Sequence, residues 1–221
     1  MLTRAVALFR VLPNAGLLLA LIAQVLAWPW LERMASGPLL LVAFDWVILA
    51  LALRAARATG LEARLGYVLL LPAVGLHAAA VLLGGDALYV ASQLAQAAFH
   101  GFVATCLLRY VLRDEVMTHD ELWALASLYV LLAFVFAYLY ATIEHLAPGA
   151  FFINPSNNPD GVTGWWDLLY FSFTCLTSVG FGEITPVSDV ARSLVMLQQV
   201  TGVLYLAIVI SRLMAMQSRR R

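Results

Sequence analysis

The residues with the clearest chemical potential lie in one short stretch near residue 180. Thr177 and Ser178 offer hydroxyl groups, Glu183 offers a carboxylate, and Gly180 and Gly182 stand between them. A glycine adopts left-handed backbone conformations without the penalty of a Cβ atom, so this stretch can take an unusual backbone geometry. Two kinds of chemistry suit such a set: nucleophilic attack by a serine hydroxyl, or coordination of a cation by side-chain and backbone oxygens.

A hydrolase within the membrane would use Ser178 as the nucleophile and His100 or His145 as the general base. The sequence lacks a nucleophile motif such as Gly-x-Ser-x-Gly, and this hypothesis gives Gly180 and Gly182 no role. We therefore expect no enzymatic activity and favour cation coordination.

The composition determines the environment in which this stretch must work. Of 221 residues, 63% are hydrophobic and only 12% are charged, against roughly a quarter in a soluble domain. Thirteen arginines, with no lysine, balance thirteen acidic residues, so no net field attracts nucleic acid. The composition excludes a water-soluble globule and predicts lipid as a partner.

Six apolar windows reach the length of about 20 residues that a bilayer core requires. They cover residues 11–31, 37–56, 65–83, 87–111, 122–143 and 188–216. A seventh apolar stretch, 165–176, is too short to cross and suits a re-entrant segment. The predicted fold class is an all-α integral membrane protein with six transmembrane helices and a re-entrant helix between the fifth and the sixth.

The distribution of arginines predicts the orientation, because basic residues near span ends stay on the cytoplasmic side. With the N-terminus inside, 11 of the 13 arginines are cytoplasmic, and Arg33 and Arg192 are outside. We therefore expect a multi-pass plasma-membrane protein with both termini in the cytoplasm and the segment 147–186 on the outer side. The outer face is rich in acids, which favours cations there: Glu32, Asp86, Glu144, Asp160, Asp167, Glu183 and Asp189.

The stretch that begins at Thr177 reads Thr-Ser-Val-Gly-Phe-Gly-Glu and directly follows the short apolar segment. It resembles the selectivity-filter loop of the potassium-channel family, whose pattern is Thr-Thr-Val-Gly-Tyr-Gly-Asp. The chain departs from that pattern at Ser178, Phe181 and Glu183, and each replacement keeps the chemical type. The resemblance is strong over the second half of the chain and only architectural over the first.

This resemblance implies a filter in which backbone carbonyls replace the hydration shell of K⁺. Its residues would be Thr177, Ser178, Val179, Gly180, Phe181 and Gly182. The Ser178 hydroxyl would bind K⁺ together with the carbonyls of Ser178, Val179, Gly180 and Phe181. One chain supplies one strand, so four copies, as in the family, imply a homotetramer with cyclic symmetry. K⁺ is the transported species, and no cofactor is implied.

The flanking residues fit the same resemblance. Residues 167–176 resemble the pore helix that seats the filter, and Tyr170 would brace it by bonding Glu183. Gly202 matches the position at which the family's inner helix can bend. After it, the spacing of Val203, Leu206 and Ile210 predicts one helical face that lines an apolar cavity.

The predicted domains are a four-helix peripheral unit, 1–115, and a pore domain, 116–221. Voltage sensing needs several basic residues within the field, and the fourth window offers only Arg109 near its inner end. Instead it carries polar uncharged residues and a histidine: Ser92, Gln93, Gln96 and His100. Steep voltage gating is therefore not expected.

Asp45 is the acid that lies deepest within a predicted span, and we expect it to have a partner. His77, His100 and Arg109 are candidates. Asp45 could serve as a proton or voltage sensor, or simply as a structural polar contact or a protonated carboxyl. His145, beside Glu144, could tune current with external pH.

Two alternatives to a potassium channel stay open at this point: a weakly selective monovalent cation channel, and a regulatory membrane subunit that does not itself conduct.

Overall fold

The computed structural model describes residues 13–34, 36–58, 63–113, 118–156, 158 and 161–218. Within them the chain forms seven α-helices and one two-stranded antiparallel sheet. The helices are α1 (Pro13–Leu31), α2 (Gly37–Ala58), α3 (Ala63–Leu83), α4 (Asp86–Arg113), α5 (His119–Leu146), α6 (Trp165–Leu176) and α7 (Asp189–Ser218). The strands are β1 (Phe151–Ile153) and β2 (Ile184–Pro186).

Each predicted apolar window corresponds to a helix, and the predicted re-entrant segment corresponds to α6. The β1–β2 pair was not predicted, because three-residue strands are too short to show an alternating pattern. Arg4, Arg10, Asp160, residues 219–221 and the boundary between 115 and 116 lie outside the described residues. The orientation and the domain boundary that depend on them stay predictions.

Among the described residues, five helices are long and apolar enough to cross a bilayer: α1, α2, α3, α5 and α7. The predicted count was six. Helix α4 has sufficient length, 28 residues, but its polar residues make it less apolar than the other five. Four of them, Ser92, Gln93, Gln96 and His100, are buried within the protein.

The chain divides into two compact units, one ending at Leu132 and the other beginning at Ala133, so that α5 contributes to both. In the first unit, α5 starts with a capping box: the Thr118 amide donates to Glu121 Oε2 at 2.8 Å, and the Glu121 amide donates to Thr118 Oγ1 at 3.3 Å. Asn14 Nδ2 on α1 donates to Asp120 Oδ2 at 2.6 Å. These contacts tie the start of α5 to α1.

The second unit is built around an aromatic core. The ring of Tyr140 on α5 lies 5.1 Å from that of Phe151 on β1 and 5.4 Å from that of Phe171 on α6. Ile184 on β2 and Val195 on α7 are buried in the same cluster. The core therefore holds the short helix α6 against α5, α7 and the sheet. Helix α6 in turn positions the loop that follows it.

Candidate functional site

Two features hold helix α6 in place: a hydrogen bond at its amino end and a buried apolar face. The Gly164 amide donates to Asp167 Oδ2 at 2.8 Å, and a carboxylate in the first turn also favours the helix dipole. Leu168, Leu169, Phe171 and Leu176 are buried. The helix has the bounds of the predicted re-entrant segment, 165–176, and begins two residues before the part that resembles a pore helix.

Hydrogen bonds to both flanking helices hold α6, and sequence reasoning missed them. Gln198 on α7 donates through Nε2 to the Ser172 carbonyl at 3.0 Å and to Ser172 Oγ at 2.7 Å, and its Oε1 accepts from the Tyr140 hydroxyl. Ser172 Oγ donates to the Ala133 carbonyl on α5 at 2.7 Å. We name Tyr140, Ser172 and Gln198 the pore-helix network. Its signal in the sequence was a glutamine inside an apolar span.

The end of α6 captures the amides of the loop that follows. The amides of Val179 and Gly180 both donate to the Thr174 carbonyl, at 3.0 and 3.2 Å, and the Ser178 amide donates to the Cys175 carbonyl at 3.1 Å. In a planar trans peptide, an N–H and the preceding carbonyl point in opposite directions. The carbonyls of residues 177, 178 and 179 therefore point away from the end of α6.

Successive residues of this loop alternate between positive and negative φ angles. The φ angles are 59° at Ser178, 54° at Gly180 and 81° at Gly182, while Val179 and Phe181 between them have negative φ. Alternating hands turn successive amides to one side of a strand and successive carbonyls to the other, whereas an ordinary strand alternates them. The loop thus offers a row of carbonyl oxygens on one side, and residues 177–182 are exposed in the single chain.

Thr177 is the first residue of the predicted filter, and its hydroxyl is hydrogen-bonded within the chain. Its Oγ1 donates to the Phe173 carbonyl at 2.8 Å, within the last turn of α6. The side chain therefore caps the helix, and the Thr177 carbonyl is the group that points away from it.

At the other end of the loop, the structure brings the predicted bracing pair together. The Tyr170 hydroxyl donates to Glu183 Oε2 at 3.1 Å. The rings of Tyr170 and Phe181 are parallel within 1°, with centroids 6.5 Å apart. The chain then enters β2, which pairs Ile184 with Ile153 of β1.

Gly202 on α7 lies where this helix crosses the end of α6. A Cβ atom at this position would stand 2.4 Å from the Leu176 carbonyl oxygen, so only glycine allows this approach. The close packing of α6 and α7 thus explains why residue 202 is a glycine. A bend of α7 at this residue stays a prediction. Val203, Leu206 and Ile210 are exposed in the single chain.

Glu144, next to His145 near the carboxyl end of α5, holds the backbone that follows the helix. Its carboxylate accepts from the Gly149 amide at 2.8 Å and from the Phe151 amide at 2.9 Å. It therefore closes the turn into β1.

Comparison with known proteins addresses the same half of the chain. The family described as "Ion channel" matches residues 124–219, which include most of α5, all of α6, the loop and α7. Protein LctB of Bacillus caldotenax is 30% identical over 125 residues, which cover 52% of this chain and 92% of that protein. This chain belongs to the ion-channel family. No solved structure matches it.

Membership of the ion-channel family, together with the apolar helices, makes the chain a multi-pass membrane protein and an ion-channel subunit. Ion channels of this type commonly form oligomers. The loop between α6 and β2 lies within the matched region, and it is therefore the candidate site at which the ion passes.

Proposed function

We propose that this ion channel is a homotetramer that conducts K⁺ passively and selectively across the plasma membrane. The observation that carries the proposal is the alternating hand of residues 178–182, with the amides of residues 178, 179 and 180 turned back towards α6. A dehydrated cation needs a ring of oxygens at fixed spacing, and such a strand supplies one quarter of it. The carbonyls of Ser178, Val179, Gly180 and Phe181, with the Ser178 hydroxyl, are the proposed ligands.

In this proposal four copies place their carbonyl rows around one axis. The exposure of residues 177–182 in the single chain supports it, because a row of unpaired carbonyls needs partners on the side away from α6. Val203, Leu206 and Ile210 would line the cavity below, where an apolar wall can gate by dewetting.

The proposed topology has six spans, with both termini in the cytoplasm, and includes α4. Its buried polar residues support this assignment, because polar groups on a membrane helix are tolerated when they face protein rather than lipid. Tyr170 and Glu183 would brace the outer end of the filter, and Gly202 would allow α7 to pack against α6.

The test is the reversal potential of the purified protein in a planar bilayer. Under a tenfold K⁺ gradient we expect about 59 mV, and with Na⁺ replacing K⁺ on one side we expect the potential to follow K⁺. A reversal near zero with mixed cations would establish a weakly selective channel instead. Silence in all conditions would favour the regulatory subunit.

Gly180→Ala is the diagnostic variant, because an alanine at a φ of 54° is strained and disturbs the carbonyl row. Gly149→Ala is its matched control: it has a φ of 85°, no atom stands within 4 Å of its added Cβ, and it lies outside the filter. We expect the first variant to lose selective current and the second to keep it. Equal effects of the two would contradict the assignment of the filter.

A further inference from the structure

A polar cluster lies inside the four-helix part of the first unit, far along the chain from the filter. Asp45 on α2 is 7% exposed, and Gln24 on α1 and Gln96 on α4 are 1% and 2% exposed. Gln24 Nε2 donates to Asp45 Oδ1, and His77 Nδ1 on α3 lies 3.1 Å from Asp45 Oδ2. Of the partners considered for Asp45, His77 is thus the one in contact.

The cluster lies at one depth in the apolar part of the helices. Asp45 follows the start of α2 at Gly37 by eight residues, His77 precedes the end of α3 at Leu83 by six, and Gln24 precedes the end of α1 at Leu31 by seven. At 1.5 Å per residue, each lies about 10 Å from the helix ends that the short connections after α1 and α3 join. This is the side that the arginine distribution predicts to be outside. About a fifth of the His77 side chain is exposed (21%), so the pair is not sealed.

The contacts of His77 Nδ1 allow two arrangements of protons, with either Gln96 or Asp45 as its hydrogen-bond partner. Nδ1 lies 2.9 Å from Gln96 Nε2 and 3.1 Å from Asp45 Oδ2. If Nδ1 accepts from Gln96, that bond uses its one lone pair, and no proton lies between Nδ1 and Asp45 Oδ2. If Nδ1 carries a proton, it donates to Asp45, and Gln96 turns over to present Oε1, which otherwise has no partner among the described residues. The second arrangement places a proton between Asp45 and His77 and also gives Gln96 Oε1 a donor.

The electrostatics favour a second proton on this pair. A carboxylate beside a neutral imidazole carries one negative charge, and an unbalanced charge within a membrane is costly. Among the described residues, His100 on α4 is a further titratable group that interacts electrostatically with both, and its Nδ1 lies 2.8 Å from the Gln96 carbonyl. Helix α1 contributes the uncharged Gln24. One added proton makes the pair neutral.

We propose that Asp45 and His77 form a proton-binding site through which the four-helix unit responds to pH. The ligand is a single proton from the outer solution. Binding converts a singly negative pair into a neutral one, as either a carboxylate with an imidazolium or a carboxylic acid with an imidazole. The site is independent of whether the filter selects K⁺.

The experiment is infrared difference spectroscopy of the full-length protein in liposomes, between pH values of about 5 and 8, where histidines titrate. We expect carboxyl and imidazole bands to change together in the wild type. Both changes should vanish in Asp45→Asn and in His77→Gln. His145→Gln, which removes a histidine of α5 outside the cluster, should keep them. Unchanged bands in Asp45→Asn, or no pH-dependent bands in the wild type, would overturn the proposal.

Gln24→Leu provides a second test that leaves both titrating groups in place. It removes the hydrogen bond to Asp45 Oδ1, which stabilises the charged carboxylate. The frequency of the carboxylate band should therefore change, because the hydrogen bonding of Asp45 has changed. A carboxylate band at the wild-type frequency in a folded Gln24→Leu protein would also overturn the proposal.

Discussion

At the scale of single residues, the filter loop contains one conformation that its sequence does not favour. Ser178 has a φ of 59°, although a residue with a Cβ atom pays about 1–2 kcal/mol for the left-handed region. The capture of the adjoining amides by Thr174 and Cys175 holds this geometry. The end of α6 therefore helps to hold the loop in this conformation.

The bracing pair at the outer end of the loop yields the first prediction. Tyr170→Phe keeps the ring stacked on Phe181 but removes the donor to Glu183. A hydrogen bond of this kind contributes about 1 kcal/mol, so we expect the current to decay roughly two- to tenfold faster in prolonged recordings. Glu183→Asp, which shortens the acceptor by one methylene, should act in the same direction. Wild-type decay in both variants would exclude a bracing role.

At the scale of elements, α6 is positioned by polar contacts inside an otherwise apolar unit. The pore-helix network links α5, α6 and α7 through Gln198, which is 0% exposed. Buried polar networks of this kind specify one packing arrangement only when each member is satisfied. The carboxyl end of α6 contacts both the amides of the following loop and Gly202. A movement of α6 would therefore displace the proposed filter.

The pore-helix network yields the second prediction. Gln198→Met leaves the Tyr140 hydroxyl without its acceptor, and we expect a loss of about 1–3 kcal/mol in stability and reduced ion selectivity. Adding Tyr140→Phe should recover part of the stability, because the two effects are not additive. Gln199→Met, at the exposed neighbour, is the control for thermal unfolding and reversal potential. Equal losses at residues 198 and 199 would contradict the role of the network.

The crossing of α6 and α7 yields the third prediction. In Gly202→Ala the added methyl group meets the Leu176 carbonyl, so the helices must separate at a cost of about 1–3 kcal/mol. Thermal unfolding in detergent measures this loss. Gly101→Ala on α4 is the control, because no atom stands within 4 Å of its Cβ. Should Gly202→Ala unfold like the wild type and differ only in gating, the residue would act as a hinge.

At the scale of the whole molecule, the second unit of one chain leaves its filter loop exposed and its carbonyl row without a counterpart. A ring of oxygens around an ion needs several such rows, and cyclic symmetry brings identical rows to one axis. Conduction is therefore expected of the assembly and not of the subunit.

Mixed assemblies yield the fourth prediction. When wild-type and Gly180→Ala subunits are mixed equally and one variant disables a channel, about one sixteenth of tetramers contain only wild-type chains. The selective current should fall to about that fraction, measured by flux from liposomes. A fall to one half would mean that subunits conduct independently, and a fall to one quarter would indicate dimers. Gly149→Ala mixtures should keep the full current.

The sequence by itself determined those features that depend on residues close together in the chain. Hydropathy located the helices, because burial in lipid depends on local composition. Gly180 and Gly182 with the neighbouring hydroxyls indicated the loop between α6 and β2, whose role as a filter stays a prediction. The bracing contact of Tyr170 with Glu183 was also predicted, since both residues adjoin that motif.

Only the tertiary structure decided the contacts between residues far apart in the chain. Gln198 hydrogen-bonds Ser172, which lies 26 residues earlier in the chain. Gly202 packs against the Leu176 carbonyl, and Asp45 contacts His77, one of its three candidate partners. Sequence alone left these open, because helix rotation and crossing decide which side chains of two long apolar helices face each other. The positive φ of Ser178 likewise arises from the amides captured at the end of α6, and a serine has no intrinsic preference for it.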